Sequence, residues 1–147
     1  CLSRGLGDVY KRQRDALSPI EKLAGALALD IEVLERAVRV SPDGSIGILG
    51  RLDGRGKREL QARYTLVFLY IKEIACGVRM VEIDALRSLC IEHACYDQGN
   101  FTGNYKKDVA AGLLREEGTK GSRFRRYMLS RKGLDEGALL LRTMAEQ

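Results

Sequence analysis

The stretch from Asp97 to Gly133 constrains the fold of this chain more than any other segment. Three of its apolar residues recur every four positions: Phe101, Tyr105 and Val109. That spacing puts one narrow apolar stripe on an otherwise polar helix, with Asp97 as the predicted N-cap. The helical spacing stops at Gly112, and residues 118–122 have the glycine-rich, basic chemistry of a flexible turn. The stretch therefore predicts a polar helix, a β-hairpin and the beginning of a further helix.

The predicted hairpin returns over residues 123–129, after which Ser130 caps a closing helix. This arrangement resembles the winged helix-turn-helix family over residues 57–147. The resemblance rests on the second helix of a pair followed by Gly112-Leu113-Leu114, on the hairpin, and on the run Tyr127-Met128-Leu129-Ser130-Arg131-Lys132-Gly133. It implies a mostly α fold with a small β-hairpin wing.

In that family the second helix of the pair enters the major groove of DNA, and the wing lies beside the phosphates. The resemblance therefore implies a non-enzymatic protein that binds double-stranded DNA without a cofactor. It would act as a transcriptional regulator or as the DNA-contacting module of a larger assembly. Amides can pair with adenine, and lysine can reach guanine or phosphate. The residues expected in the groove are Asn100, Thr102, Asn104, Lys106 and Lys107, and those expected on the phosphate backbone are Lys120, Arg123 and Arg125.

Positive charge is concentrated in the same part of the chain. The whole chain has a formal net charge of +5, yet residues 106–132 alone contain nine basic and three acidic side chains. The rest of the chain is therefore acidic on balance. A local excess of this kind is the electrostatic footprint of a phosphate-binding face. Basic residues on a hairpin also discourage an exposed strand edge from pairing with other chains, and that interpretation stays open.

A long helix is predicted from Lys57 to Cys76, because apolar residues recur there three or four apart and Gly77 follows as a stop. It is apolar around much of its circumference. Either the N-terminal part of the chain covers it, or it forms the seam of a homodimer. Residues 80–83 are expected to be an extended link, and Asp84 is expected to cap the next helix.

A short helix-helix-hairpin module is predicted at residues 17–56, before the winged helix-turn-helix domain at 57–147. Ser18-Pro19 is a strong helix start, and Asp30 has the character of a second N-cap. Proline, aspartate and glycine at residues 41–44 predict the turn of a small hairpin. A glycine-rich loop marks the soft boundary between the two parts.

The first thirteen residues, 1–13, resemble translated sequencing-adapter sequence, which contaminates proteins inferred from environmental DNA. They lack the apolar segment of a signal peptide. They are therefore treated as a non-native N-terminal segment. They supply +2 of the formal charge, so the charge argument rests on distribution and not on the total.

No catalytic constellation is visible, and an enzyme is not expected. Cys90, His93 and Cys95 are of types that bind zinc, but the fourth ligand, Cys76, would have to fold across from the preceding helix and no Cys-x-x-Cys pair exists, so no metal is expected. The cysteines have no framework spacing, which favours a reducing cytoplasm. No apolar run is long enough to cross a bilayer. The main alternative to DNA binding is a winged-helix module that docks a protein partner without nucleic acid.

Overall fold

The computed structural model describes residues 17–118 and 125–147. In chain order, the described elements are α1 (Pro19–Leu27), α2 (Ile31–Glu35), β1 (Val38–Val40), β2 (Ile46–Ile48), α3 (Gly56–Cys76), β3 (Val81–Glu82), α4 (Ile83–Glu92), α5 (Phe101–Ala110), β4 (Leu114–Glu117), β5 (Arg126–Leu129) and α6 (Arg131–Ala145). This part of the chain is mostly helical with two small antiparallel sheets, as the sequence predicts.

The N-terminal elements form where the cap and turn residues place them. The Ser18 hydroxyl oxygen accepts from the N–H of Glu21 at 3.3 Å, and Pro19 occupies the first position of α1. Asp30 precedes α2 but makes no side-chain bond to that helix. Strands β1 and β2 pair antiparallel, so the predicted small hairpin is confirmed.

Helix α3 lies at the centre of the core. Every residue from Tyr64 to Ile71 is buried, and α1, α5 and α6 all pack against this helix. Burying one large apolar side chain stabilises a fold by about 1.5–3 kcal/mol. A single core cluster continues from Leu23 and Leu34 near the N-terminus to Leu141 in α6. The apolar circumference of α3 is thus covered within the chain, and a homodimer seam is not needed to explain it.

The second sheet has three strands in the order β3-β5-β4. The sequence predicted its hairpin, β4-β5, but residues 80–83 were expected to be only a link. Strand β3 pairs antiparallel with β5, with Val81 opposite Tyr127. Two paired residues are too few to show a strand's alternation in the sequence, so β3 depends on its distant partner. Helix α4 then begins at Ile83, and Asp84, the predicted cap, lies in its first turn.

Helix α5 begins later than predicted, and Asp97 is not its N-cap. The Asp97 carboxylate accepts from the side-chain amide of Asn100 at 3.0 Å, and its carbonyl oxygen accepts from the Asn100 N–H at 3.1 Å. Asp97 therefore holds a turn that leads into the helix. Glycine at position 99 disfavours a helix there, and the helix starts only where Phe101 becomes buried.

Helix α6 lies directly against the backbone of two other segments. Ser130 caps it, as predicted, by accepting from the N–H of Gly133 at 3.0 Å. A Cβ at Gly133 would overlap the carbonyl oxygen of Leu113, and one at Gly137 would come within 2.9 Å of the carbonyl oxygen of Leu66. A side-chain carbon cannot approach so closely without displacing backbone. Both glycines are therefore required for this packing, although each lowers helix propensity by about 1 kcal/mol.

Helix α4 ends with an alanine in the left-handed region. Ala94 has a φ of 56°. Its N–H donates to the carbonyl oxygen of Ile91 at 3.2 Å, and the N–H of Cys95 donates to that of Cys90 at 2.9 Å. These two bonds form a Schellman C-cap, in which the left-handed position is usually glycine. A non-glycine residue there is strained by roughly 1–2 kcal/mol.

We expect Ala94→Gly to raise the free energy of unfolding by about 1 kcal/mol. Glycine adopts the left-handed conformation without a clash, and its greater loss of entropy on folding offsets only part of that gain. Chemical denaturation measures the difference. Ala85→Gly, at an exposed position of the same helix, is the matched control and should lower stability. A loss in both variants would contradict the strain assigned to Ala94.

Candidate nucleic-acid interface

Helix α5 presents an exposed surface on which lysines lie between small residues. Residues three and four apart share a face of a helix. The exposed residues related in this way, called here the α5 face, are Asn100, Gly103, Lys106, Lys107 and Ala110. A helix with two ammonium groups and little side-chain bulk between them has the shape and charge that the major groove of B-DNA admits.

Two residues predicted to face outward from this helix do not lie on the α5 face. Thr102 is half-buried. Asn104 is only 5% exposed, and its side-chain amide donates to the Gln61 side-chain oxygen at 3.0 Å. The expectation that Asn104 points outward is wrong, because it lies three residues after Phe101 and shares the buried face of the helix. The apolar stripe predicted from the sequence was narrower than the buried face of the helix, which includes Asn104.

The buried Asn104 belongs to a polar contact that joins α3 to α5. The Gln61 side-chain amide donates to the carbonyl oxygen of Phe101 at 3.0 Å, and the Thr65 and Tyr105 hydroxyls lie 2.9 Å apart. Gln61 and Thr65 are fully buried, so removing one partner would leave a buried polar group unpaired, at a cost of about 1–3 kcal/mol. These bonds fix α5 against α3. These bonds were not predicted, although Gln61 and Thr65, two polar residues one turn apart on an apolar helix, are a signal for them in the sequence.

Arg125 was expected to contact the DNA backbone, but its side chain is buried and forms an ion pair within the protein. Its side chain is 6% exposed, and its Nε lies 2.7 Å from Oε1 of Glu116. Its carbonyl oxygen accepts from the N–H of Ile83 at 2.9 Å, which places it where the sheet meets α4. An arginine in a buried ion pair cannot leave its carboxylate for a phosphate without a large desolvation cost. The placement of Arg125 at the DNA surface is therefore corrected.

The strands β4 and β5 carry a second ion pair at the surface. The guanidinium of Arg126 lies 3.3 Å from the carboxylate of Glu117, and both side chains are exposed. Such a pair contributes about 0–1 kcal/mol to stability, but it neutralises a charge that could face DNA. Arg115 on β4 is exposed. Lys120 and Arg123, the other expected backbone contacts, lie outside the described residues.

The C-terminal end of α5 is held by the beginning of α6. The Lys132 ammonium donates to the carbonyl oxygen of Ala111 at 3.3 Å, and the Ser130 hydroxyl donates to that of Gly112. The N–H of Ser130 donates to the carbonyl oxygen of Leu113 at 3.0 Å. These three carbonyls belong to the residues that directly follow α5, and the start of α6 supplies their donors. Lys132 also adds positive charge beside the α5 face, at the negative end of the helix dipole.

An open cleft of about 350 Å³ lies between the N-terminal end of α3 and α5. Its lining residues are Arg55, Arg58, Glu59, Ala62 and Asp108. Burial raises the pKa of Asp108 to about 6, although the nearby Arg58 guanidinium opposes the rise. The ordinary pKa of an aspartate is about 3.9, so this carboxyl titrates much closer to neutrality. The sequence analysis did not identify the cleft, because its residues are distant along the chain.

The residues considered as zinc ligands take part in packing. His93 stacks on Tyr64 with ring centroids 4.2 Å apart, and burial lowers its pKa. Cys90 is fully buried, and its hydrogen bond to Cys95, together with burial, raises its pKa, so it is a thiol at neutral pH. Across residues 17–118 and 125–147, no three potential ligands converge on one point.

No family model, curated protein or solved structure matches this chain. Three features of the described residues bear on function: the α5 face, the strands β4 and β5, and the cleft. The α5 face brings together three of the expected DNA contacts, Asn100, Lys106 and Lys107. Among the described helices, none is both long enough and apolar enough to span a membrane.

Proposed function

We propose that this protein binds double-stranded DNA through a winged helix-turn-helix, as a transcriptional regulator or as the DNA-contacting module of a larger assembly. The order of elements from α3 to α6 supports the proposal. The helix pair α4 and α5 is followed by the hairpin β4-β5, and β3 joins that hairpin as a third strand. Both helices of the pair pack against α3. In a helix-turn-helix the second helix, here α5, is the one that enters the groove.

The α5 face is the observation that carries the proposal. Lys106 and Lys107 are exposed between Gly103 and Ala110, so no bulky side chain keeps the helix from the bases. The buried bonds from Gln61 hold the helix in one orientation. A preorganised surface loses less entropy on binding, which favours affinity.

The set of contacts differs from the one expected from the sequence. The α5 face keeps the role in the groove, whereas Asn104 and Arg125 serve the protein's own structure. Lys132 and Arg131, at the start of α6, become contacts to the phosphate backbone, since Lys132 lies at the end of α5. Lysine and arginine in such flanking positions orient a protein on the duplex without reading its sequence.

Retardation of a short mixed-sequence DNA duplex at several salt concentrations tests the proposal. Each phosphate contact releases counter-ions, so the logarithm of affinity should fall linearly with the logarithm of salt concentration, by roughly 0.9 per contact. Three contacts predict a loss of about 40-fold between about 50 and 200 mM salt. Absence of retardation at the lowest salt concentration would overturn the proposal.

A module that docks a protein partner is the second candidate, and the ion pairs of the wing favour it. Arg125 and Arg126 both face a glutamate of β4, which removes charge that a DNA-binding wing would use. Binding to a partner through apolar surface depends little on counter-ion release. An affinity for DNA that is weak and insensitive to salt would therefore favour this second function.

A further inference from the structure

We propose that Asp108 makes DNA binding sensitive to pH: its charged carboxylate, which lines the same cleft as Arg58, repels phosphate, and its protonated form does not. The inference rests on the proposed function and concerns regulation of the same surface. Asp108 has no place among the expected DNA contacts, yet it directly follows the two exposed lysines of α5.

The location of Asp108 places it at the border of the α5 face. Successive residues on a helix are about 100° apart, so Asp108 lies to one side of Lys107. It is half-buried in the open cleft between α5 and the start of α3. DNA that contacts Lys107 therefore brings its negative backbone towards this carboxylate, as well as towards Arg55 and Arg58 in the same cleft.

The other carboxylate of the cleft is already occupied. Glu59 lies 2.6 Å from the guanidinium of Arg63 and accepts from the N–H of Arg55 at 3.0 Å. Asp108 is then the carboxylate that faces Arg58, which stabilises its charged form. An arginine that is attracted to a neighbouring carboxylate is less available to a phosphate, and the two negative groups also repel each other.

The remaining charged groups around α5 are basic or, like Glu116 and Glu117 of β4, paired with an arginine. The strand packed against α5 contributes the exposed Arg115, and α6 contributes Lys132 at the helix end. Beside these groups, burial raises the pKa of Asp108 to about 6.

The direction of the pH effect follows from that raised pKa. Above about pH 6 the carboxylate is charged, and it opposes the phosphate backbone. As the pH falls through about 6, the surface loses one negative charge beside the lysines of α5. Removing one negative charge that repels the phosphates is expected to strengthen binding by about threefold or more. The affinity for DNA should therefore rise as the solution becomes mildly acidic.

The experiment compares the parent with Asp108→Asn in retardation assays at about pH 5.5 and about pH 7.5. Asparagine has the shape of the protonated carboxyl group. The variant is expected to bind at about pH 7.5 as tightly as the parent binds at about pH 5.5, roughly threefold or more above the parent at neutral pH. Its affinity should change little between the two conditions. His93, whose protonation is opposed by burial, is present in both proteins, so the difference between them isolates Asp108.

A matched control removes the neighbouring carboxylate. Glu59→Gln should leave the pH dependence of the parent in place, because Glu59 is bound to Arg63 and not to Arg58. Carbon NMR of the Asp108 carboxyl group in the full chain provides a readout that does not depend on DNA. A midpoint near pH 6 supports the inference. An ordinary midpoint near pH 4, or an unchanged pH profile in Asp108→Asn, overturns it.

The outcomes separate the two proposals. If the parent binds DNA but Asp108→Asn keeps its pH dependence, this inference fails and the proposed function stands. If the parent does not bind duplex DNA at either pH, the proposed function fails and the inference falls with it, whatever the carboxyl midpoint. If the pH dependence is lost in Glu59→Gln but kept in Asp108→Asn, Glu59 is the residue responsible, and the inference is overturned.

Discussion

Replacing both Lys106 and Lys107 with glutamate is expected to lower the affinity for duplex DNA by roughly 100-fold or more. The double variant loses two contacts and places two negative charges on the α5 face, where they meet the phosphate backbone. Both side chains are exposed, so the fold should be unaffected and the far-ultraviolet circular dichroism unchanged. Retardation at low salt measures the effect, and the slope against salt should fall by roughly 2.

The control must change the net charge by the same amount elsewhere. Lys22→Glu with Arg36→Glu does so, since both residues are exposed in the N-terminal helical region, away from α5. This variant is expected to bind DNA within a few-fold of the parent, because the two positions lie outside the proposed footprint. Equal losses in the two double variants would show that overall charge, and not the α5 face, governs binding.

Gly133→Ala is expected to lower the free energy of unfolding by about 3 kcal/mol or more, at the upper end of the usual cost of overpacking. The added Cβ would overlap the carbonyl oxygen of Leu113 and press on the side chain of Leu129. The first obstacle is backbone, which cannot rotate away as a side chain can. Denaturation by urea, followed by circular dichroism, measures the loss.

A glycine in open surroundings supplies the control for that substitution. Gly25 lies within α1, is exposed, and has nothing within 4 Å of the position of an added Cβ. Gly25→Ala should therefore stabilise the protein by up to about 1 kcal/mol through helix propensity alone. If Gly133→Ala were as stable as Gly25→Ala, the close approach of α6 to Leu113 would be contradicted.

Periodic and capping residues predicted most of the helices correctly. Ser18 and Ser130 both cap the helices that follow them, and the long helix ends at Gly77 as expected. These predictions succeeded because caps and apolar periods act between residues that are close in sequence. The small N-terminal hairpin was predicted for the same reason, since its turn residues are contiguous.

Apart from the N-caps predicted at Asp84 and Asp97, the errors concern groups whose surroundings come from distant segments. Asn104 is polar, but Gln61 offers it a buried partner from another helix. Arg125 is charged, but Glu116 of the facing strand holds it inside. Strand β3 exists because β5 pairs with it. A polar residue indicates a surface position only when no buried partner is available, and the sequence alone does not reveal that partner.

The bonds from Ser130 and Lys132 to the carbonyls that directly follow α5 have a consequence for any shortened version of this protein. A chain cut after Leu129 would keep every residue of the helix pair and the hairpin strands, yet three carbonyl oxygens, at Ala111, Gly112 and Leu113, would lose their donors. The turn that joins the helix proposed to read DNA to β4 would be less firmly held. The closing helix is thus a structural requirement of the reading surface, although most of its length lies away from it.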